Sequence, residues 1–130
     1  MIKVSKKSQY GLRAMVLLAK NFKAKQILSV REIAKQEAIP FEFLEKIILQ
    51  LEKADLVKSK KGILGGYVLA MAPSKISARD IVGVLEENKK AVDCTFCGRK
   101  SECLTKNVWA EVESALNKTL DSITLKRLIT

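Results

Sequence analysis

Every cysteine in the chain, Cys94, Cys97 and Cys103, falls within the single stretch AVDCTFCGRKSECLTKNVW. Three thiolates in one polar, glycine-containing loop make a soft ligand set, suited to an iron–sulfur cluster or to zinc. A Cys-x2-Cys pair followed by a third cysteine after five residues brings the sulfurs together without a buried scaffold. Arg99, Lys100 and Lys106 lie close by in sequence, where positive charge favours the thiolate and offsets the negative charge of a cluster. The fourth position is open to Glu102, to Asp93, to an exogenous ligand such as water or a small thiol, or to nothing. A metal-free thiol switch would use the same residues through their oxidation chemistry.

The surrounding chain bounds what such a loop can serve. A length of 130 residues gives one compact domain with an appended element, and 48% hydrophobic content lets it bury a core without disulfides. No stretch approaches the apolar length of a membrane span, and the run LRAMVLLA is broken by Arg13 and lacks a small-residue cleavage site. A cytoplasmic location is expected, where clustered thiols bind metal or sense redox state more often than they form disulfides. Lysine and arginine outnumber aspartate and glutamate by 24 to 14. Residues 1–75 hold 15 basic and 6 acidic side chains, whereas residues 76–130 hold 9 and 8. That asymmetry points to nucleic acid at the N-terminal part and to another role for the rest, with a merely solvated basic surface as the alternative.

Enzyme chemistry is poorly supplied. The chain contains no histidine, which removes the commonest general base and the Ser-His and Cys-His pairs. Its glycines form no phosphate-binding or dinucleotide fingerprint. An RNA-binding sheet is also disfavoured, because aromatic residues make up only 5% of the chain and show no stacked strand pattern.

The elements that position the loop can be read in order. Ser8 to Phe22 is apolar nearly all round, as in a helix buried on more than one side. Ser29 and Glu32 have capping-box spacing and start a short helix, Val30 to about Glu37. Pro40 forces a turn and allows a new helix to begin in its first turn. From Phe41 to Ala54, residues Leu44, Ile47, Ile48 and Leu51 repeat at helical spacing on one face. This pair is a helix-turn-helix candidate. LVKSKKGILGGYVLA then reads as strand, basic glycine-rich turn and strand, a β-hairpin wing with Lys58, Lys60 and Lys61 at its tip, or else an ordinary hairpin with solvated lysines. Ser77 and Asp80 mark a further helix start before the cysteine loop. Beyond the loop, Trp109, Val112, Leu116 and Leu120 form a stripe on a helix that needs a partner surface, either a symmetric copy of itself or its own domain.

Taken together, KKSQYGLRAMVLLA, SVREIAKQEAIPFEFLEKIILQLEKADLVKSKKGILGGYVLA, ISARDIVGVLEE, the cysteine loop and SITLKRL resemble the Rrf2 family of bacterial transcriptional regulators along essentially the whole chain. The resemblance implies a mainly α fold with a small β-hairpin wing, in a homodimer bound to a double-stranded DNA operator. It divides the chain into a winged helix-turn-helix domain over 1–75, a connecting helix and cysteine loop over 76–103, and a dimerisation helix with a C-terminal segment over 104–130. It implies a recognition helix from Pro40 to about Leu51, with Glu42, Glu45 and Lys46 toward bases and the wing lysines on the backbone. It also implies an iron–sulfur cluster at Cys94, Cys97 and Cys103, of [2Fe–2S] or [4Fe–4S] type, with zinc as the alternative. The loop departs from the family pattern in its short first spacing. Lys106 stands where some members place a histidine ligand, and Gln9 where others place a carboxylate from the partner subunit.

Overall fold

The first helix carries too much apolar surface for one face, and the other elements are arranged around it. A computed structural model describes residues 4–87 and 104–130; the three cysteines, with Asp93, Arg99, Lys100 and Glu102, lie outside the described residues. Helix α1 (Lys6–Lys20) touches four other helices and the hairpin, and buries Gly11, Ala14, Met15, Leu17, Leu18 and Ala19. It starts two residues before the apolar pattern does, because Ser5 caps it by accepting from the Ser8 N–H. It ends at Asn21, whose side-chain amide donates to the Leu17 carbonyl at 2.8 Å, so Phe22 lies beyond the helix.

Helix α2 (Val30–Glu37) begins with both bonds of the expected capping box: the Glu32 N–H donates to Ser29 Oγ and the Ser29 N–H to the Glu32 carboxylate. It stops at Ala38, which adopts a left-handed conformation at φ 54° and ψ 48°. Ile39 is thereby tucked into the core, and Pro40, with extended ψ, caps helix α3 (Phe41–Lys53). Leu44, Ile47, Ile48 and Leu51 of α3 are all fully buried, as their spacing requires.

Strands β1 (Val57–Lys60) and β2 (Gly66–Leu69) pair antiparallel, with Val57 opposite Leu69 and Lys60 opposite Gly66. The far edge of β2 is paired as well, since Leu28 and Tyr67 exchange two backbone hydrogen bonds of 3.2 and 2.8 Å. This bridge explains Gly66: a β-carbon there would lie 2.4 Å from the Leu28 carbonyl oxygen. No side chain fits without separating the wing from the segment that leads into α2.

A short 3-10 turn (Pro73–Lys75) leads to α4 (Ala78–Leu85), which has the second expected capping box, formed by Ser77 and Asp80. After α5 (Lys106–Ser122) the chain folds back onto the first domain. The Ala78 N–H donates to the Ile123 carbonyl at 2.7 Å, and the Leu125 N–H to the Ile76 carbonyl at 2.9 Å. Leu125, the first residue of α6 (Leu125–Ile129), is completely buried, a contribution of about 2 kcal/mol from apolar transfer. The C-terminal segment therefore belongs physically to the same core as α1. Among the described residues no helix is long and apolar enough to cross a membrane.

Candidate nucleic-acid interface and cysteine segment

Two side-chain contacts hold the helix pair on α1, and a third joins its two helices. Tyr10 meets Phe43 edge to face, with ring centres 5.6 Å apart. The Arg13 guanidinium donates to the Glu37 carbonyl and lies 3.6 Å from the Glu37 carboxylate, which fixes the end of α2. Arg31 of α2 stacks over Phe41 at 4.6 Å and ties α2 to the first turn of α3.

With its apolar stripe buried, α3 turns Glu42, Glu45 and Lys46 to solvent on one face, and Pro40 is exposed at its start. The structure thus brings together the side chains expected at a base-reading surface. It adds one that was missed: Leu49, 51% exposed, sits on the same face at helical spacing from Glu45 and Lys46. Its position off the stripe of Leu44, Ile47, Ile48 and Leu51 was the available signal.

In the wing, Lys58 and Lys60 stand on β1, where strand alternation points them to one side, and Lys61 opens the turn. The tip itself is Gly62-Ile63-Leu64-Gly65, so the lysines lie below it and an apolar pair caps it. The turn is tight: the Gly65 N–H donates to the Gly62 carbonyl at 3.0 Å, and Gly62 has φ of +126°. Tyr67 locates the wing relative to α3. Its phenol is pushed up by burial and further by the negative charges of Glu52 and Glu45 on that helix.

The described fold stops just beyond α4, and the end of that helix is anchored to α1. One oxygen of Glu86, the residue that ends α4, accepts from Ser8 Oγ at 2.7 Å, from Ser5 Oγ at 3.0 Å and from the Ser5 N–H at 3.3 Å. Burial alone would raise the Glu86 pKa, but the hydrogen bonds from Ser8 and Ser5 and the charge of Lys7 outweigh it and hold the carboxyl below its usual range. Gln9, one residue from this clasp, is exposed and donates its side-chain amide to the Val4 carbonyl at 3.0 Å. Among the described residues no cluster of three metal-binding side chains occurs.

Helix α5 packs on α4 along one side. None of its residues whose side chains are described is buried: Trp109 and Leu116 are each about 40% exposed, Val108 is 51% exposed, and Val112 and Leu120 are half-buried. The stripe is therefore only partly covered by its own chain.

A helix-turn-helix pair followed by a hairpin, all seated on one long N-terminal helix, defines a winged helix-turn-helix protein with an additional long helix after it. The chain belongs to the Rrf2 family, described as "Iron-dependent Transcriptional regulator", which matches residues 4–130. It is 34% identical over 132 residues to Protein rrf2 of Nitratidesulfovibrio vulgaris, covering 98% of this chain and 87% of that one. Its fold is similar to that of CymR (YrzC), the global cysteine regulator of B. subtilis, at TM-score 0.85 and 36% identity, covering 99% of this chain and 97% of the other. It is also similar to T. potens IscR, at TM-score 0.82 and 38% identity, covering 98% and 86%. The chain is accordingly a transcriptional regulator of the CymR and IscR type, and its relatives are named as regulators, not enzymes.

The Glu86 clasp has a pH signature. A carboxyl whose folded pKa is depressed contributes stability that is present above the ordinary glutamate range and is lost as pH falls through the depressed value. Glu86→Gln should therefore lower the unfolding midpoint at pH 7, and the deficit against wild type should shrink below about pH 4. Denaturation curves at the two pH values measure this, and an equal deficit at both would remove the charge from the account.

Proposed function

We propose that the chain acts as a homodimer that binds a two-fold symmetric operator in duplex DNA, with its affinity set by the state of Cys94, Cys97 and Cys103. The observation that carries the DNA reading is the exposed face of α3 standing beside a lysine-bearing wing, both within the basic part of the chain. Lys46 has the chemistry to bond guanine O6 and N7, Glu42 and Glu45 to accept from cytosine N4, and Leu49 to touch a thymine methyl. The two glutamates repel phosphate, which favours selective readout over indiscriminate affinity. Lys58, Lys60 and Lys61 supply the phosphate contacts that set register.

The dimer reading rests on the stripe of Trp109, Val112, Leu116 and Leu120, which a second copy of α5 would cover. Paired recognition helices on such a dimer meet half-sites separated by about one helical turn or a multiple of it.

The three cysteines fit a soft metal group by the chemistry of their donors. An iron–sulfur cluster held by them supplies a centre that oxygen and nitric oxide attack. The fold supplies the path from that segment to the DNA: Glu86 ties the end of α4 to Ser5 and Ser8 of α1, and Tyr10 of α1 packs on Phe43 of α3. A second reading, a zinc site or a metal-free thiol switch on the same cysteines, is supported by the short first spacing and by the similarity to a cysteine regulator.

Three experiments test these readings. Changing Lys60 and Lys61 together to Ala should weaken binding to every duplex and flatten the dependence of log affinity on log salt by about two phosphate contacts per subunit; an unchanged slope removes these lysines from the interface. Wild-type protein at micromolar concentration should sediment as a dimer, and Leu116→Asp, which puts a charge in the apolar seam, should sediment as a monomer. A wild-type monomer would contradict the assembly. Finally, each of Cys94→Ala, Cys97→Ala and Cys103→Ala should abolish the visible absorption of anaerobically reconstituted protein while leaving its helical content intact. Wild-type protein that takes up zinc but never iron and sulfide, or no metal at all, would decide for the second reading.

A further inference from the structure

Two of the three most exposed large apolar side chains among the described residues are neighbours at the wing tip: Ile63 is 104% exposed and Leu64 87%. Neither contributes to the core, so their presence on a solvent-facing turn is not explained by folding. Scattered exposed leucines are unremarkable, but this pair is adjacent and at the outermost point of a hairpin. The turn that presents them is pre-shaped. Gly62 takes φ of +126°, Gly65 closes on the Gly62 carbonyl, and a β-carbon on Gly65 would stand 2.6 Å from the Lys60 carbonyl oxygen. The side chains are thus held out on a scaffold with little conformational freedom to lose on binding.

Charge complementarity selects the occupant. Lys58, Lys60 and Lys61 lie immediately below the tip on the same hairpin, so any surface that receives Ile63 and Leu64 also receives three ammonium groups. A polyanion with an apolar interior meets both demands. The DNA minor groove has phosphates along its rims, sugar and base-edge carbons within, and a width of about 6 Å that admits side chains but no larger element.

We infer that Ile63 and Leu64 are an apolar wedge that enters the minor groove beside the site read by α3 and partly unstacks a base step there. The inference rests on the DNA-binding reading above and extends it with a second source of specificity. Neither side chain offers a hydrogen bond, so the wedge does not read base edges by donors and acceptors. It selects by deformability, favouring pyrimidine–purine steps such as TA and CA/TG at the wing position, and it bends the duplex toward the major groove.

The probe is a duplex selected by the wild-type protein from a random-sequence library, carrying 2-aminopurine at successive positions flanking the α3 contact. Wild-type binding should brighten the fluorophore at one step per half-site and bring end labels closer by energy transfer. Ile63→Ser with Leu64→Ser should bind roughly tenfold or more weakly, lose both signals, and keep the wild-type salt slope, because no counterion is released by an apolar contact. Ile63→Leu should retain them. Since both residues lie outside the core, the variant's unfolding midpoint should match wild type and so exclude misfolding as the cause. A double-serine variant that binds and bends like wild type overturns the wedge while leaving DNA binding in place. A variant that loses self-association but not DNA affinity overturns it in favour of a protein contact. A wild-type protein that selects no duplex overturns the DNA reading and the wedge with it.

Discussion

The close approach of α1 to the helices that cross it is the constraint on which the rest of the structure depends. At Gly11 a β-carbon would stand 2.1 Å from a terminal carbon of Leu85 and 3.4 Å from Ile47, so α4 and α3 both press against the same bare point of α1. Leu85 is 1% exposed, so a β-carbon at position 11 would have to displace a buried side chain, and the glycine serves packing and not a turn. From that crossing follow the position of α3, through Tyr10 and Phe43, and of α2, through Arg13 and Glu37. The end of α4 is set through Ser5, Ser8 and Glu86. One buried helix therefore fixes both the surface proposed to face DNA and the end of α4, where the described fold stops.

The electrostatic design is less uniform than a net charge of +10 suggests. The face of α3 carries two glutamates beside one lysine, and Glu45 and Glu52 lie near enough to Tyr67 to push its phenol up. Positive charge is concentrated instead on the wing. On the proposed DNA reading, affinity and selectivity fall on different elements: lysines on a strand supply attraction that any duplex would satisfy, and a mixed-charge helix penalises wrong sequences. The Leu28–Tyr67 bridge and the requirement for glycine at 66 tie the wing to the segment that leads into α2, since the wing strand is hydrogen-bonded on both edges.

What was legible in the sequence was local. Both capping boxes, the boundaries of α2, the stripe of α3 and the glycine-rich hairpin follow from residues within four positions of one another, and each is found where its spacing puts it. The features that escaped depend on residues far apart in the chain. Ser5 caps α1 and bonds a carboxylate 81 residues away. Leu28 pairs with Tyr67, and Leu125 enters the core beside α1, with no periodicity to announce either. Lysines near a glycine were taken to occupy the tip of the hairpin, whereas the register of β1 against β2 leaves that place to Ile63 and Leu64. Leu49 was absorbed into an apolar helix although it lies off the buried stripe. The cysteine loop is legible as chemistry, from donor type and spacing alone.

The ends of the cysteine segment explain how it can matter to a surface it does not touch in sequence. On its N-terminal side stands Glu86, gripped by the first turn of α1; on its C-terminal side stands α5, whose far end is bonded back through Ile123 and Leu125 to the strand-like link before α4. Both flanking elements are joined to one core. At Glu86 the junction is made by hydrogen bonds to a depressed carboxylate, and α5 keeps an apolar stripe only partly covered by its own chain. On the proposed reading, a change in the state of the cysteines acts both through Glu86 on α1 and α3 and through the placement of α5.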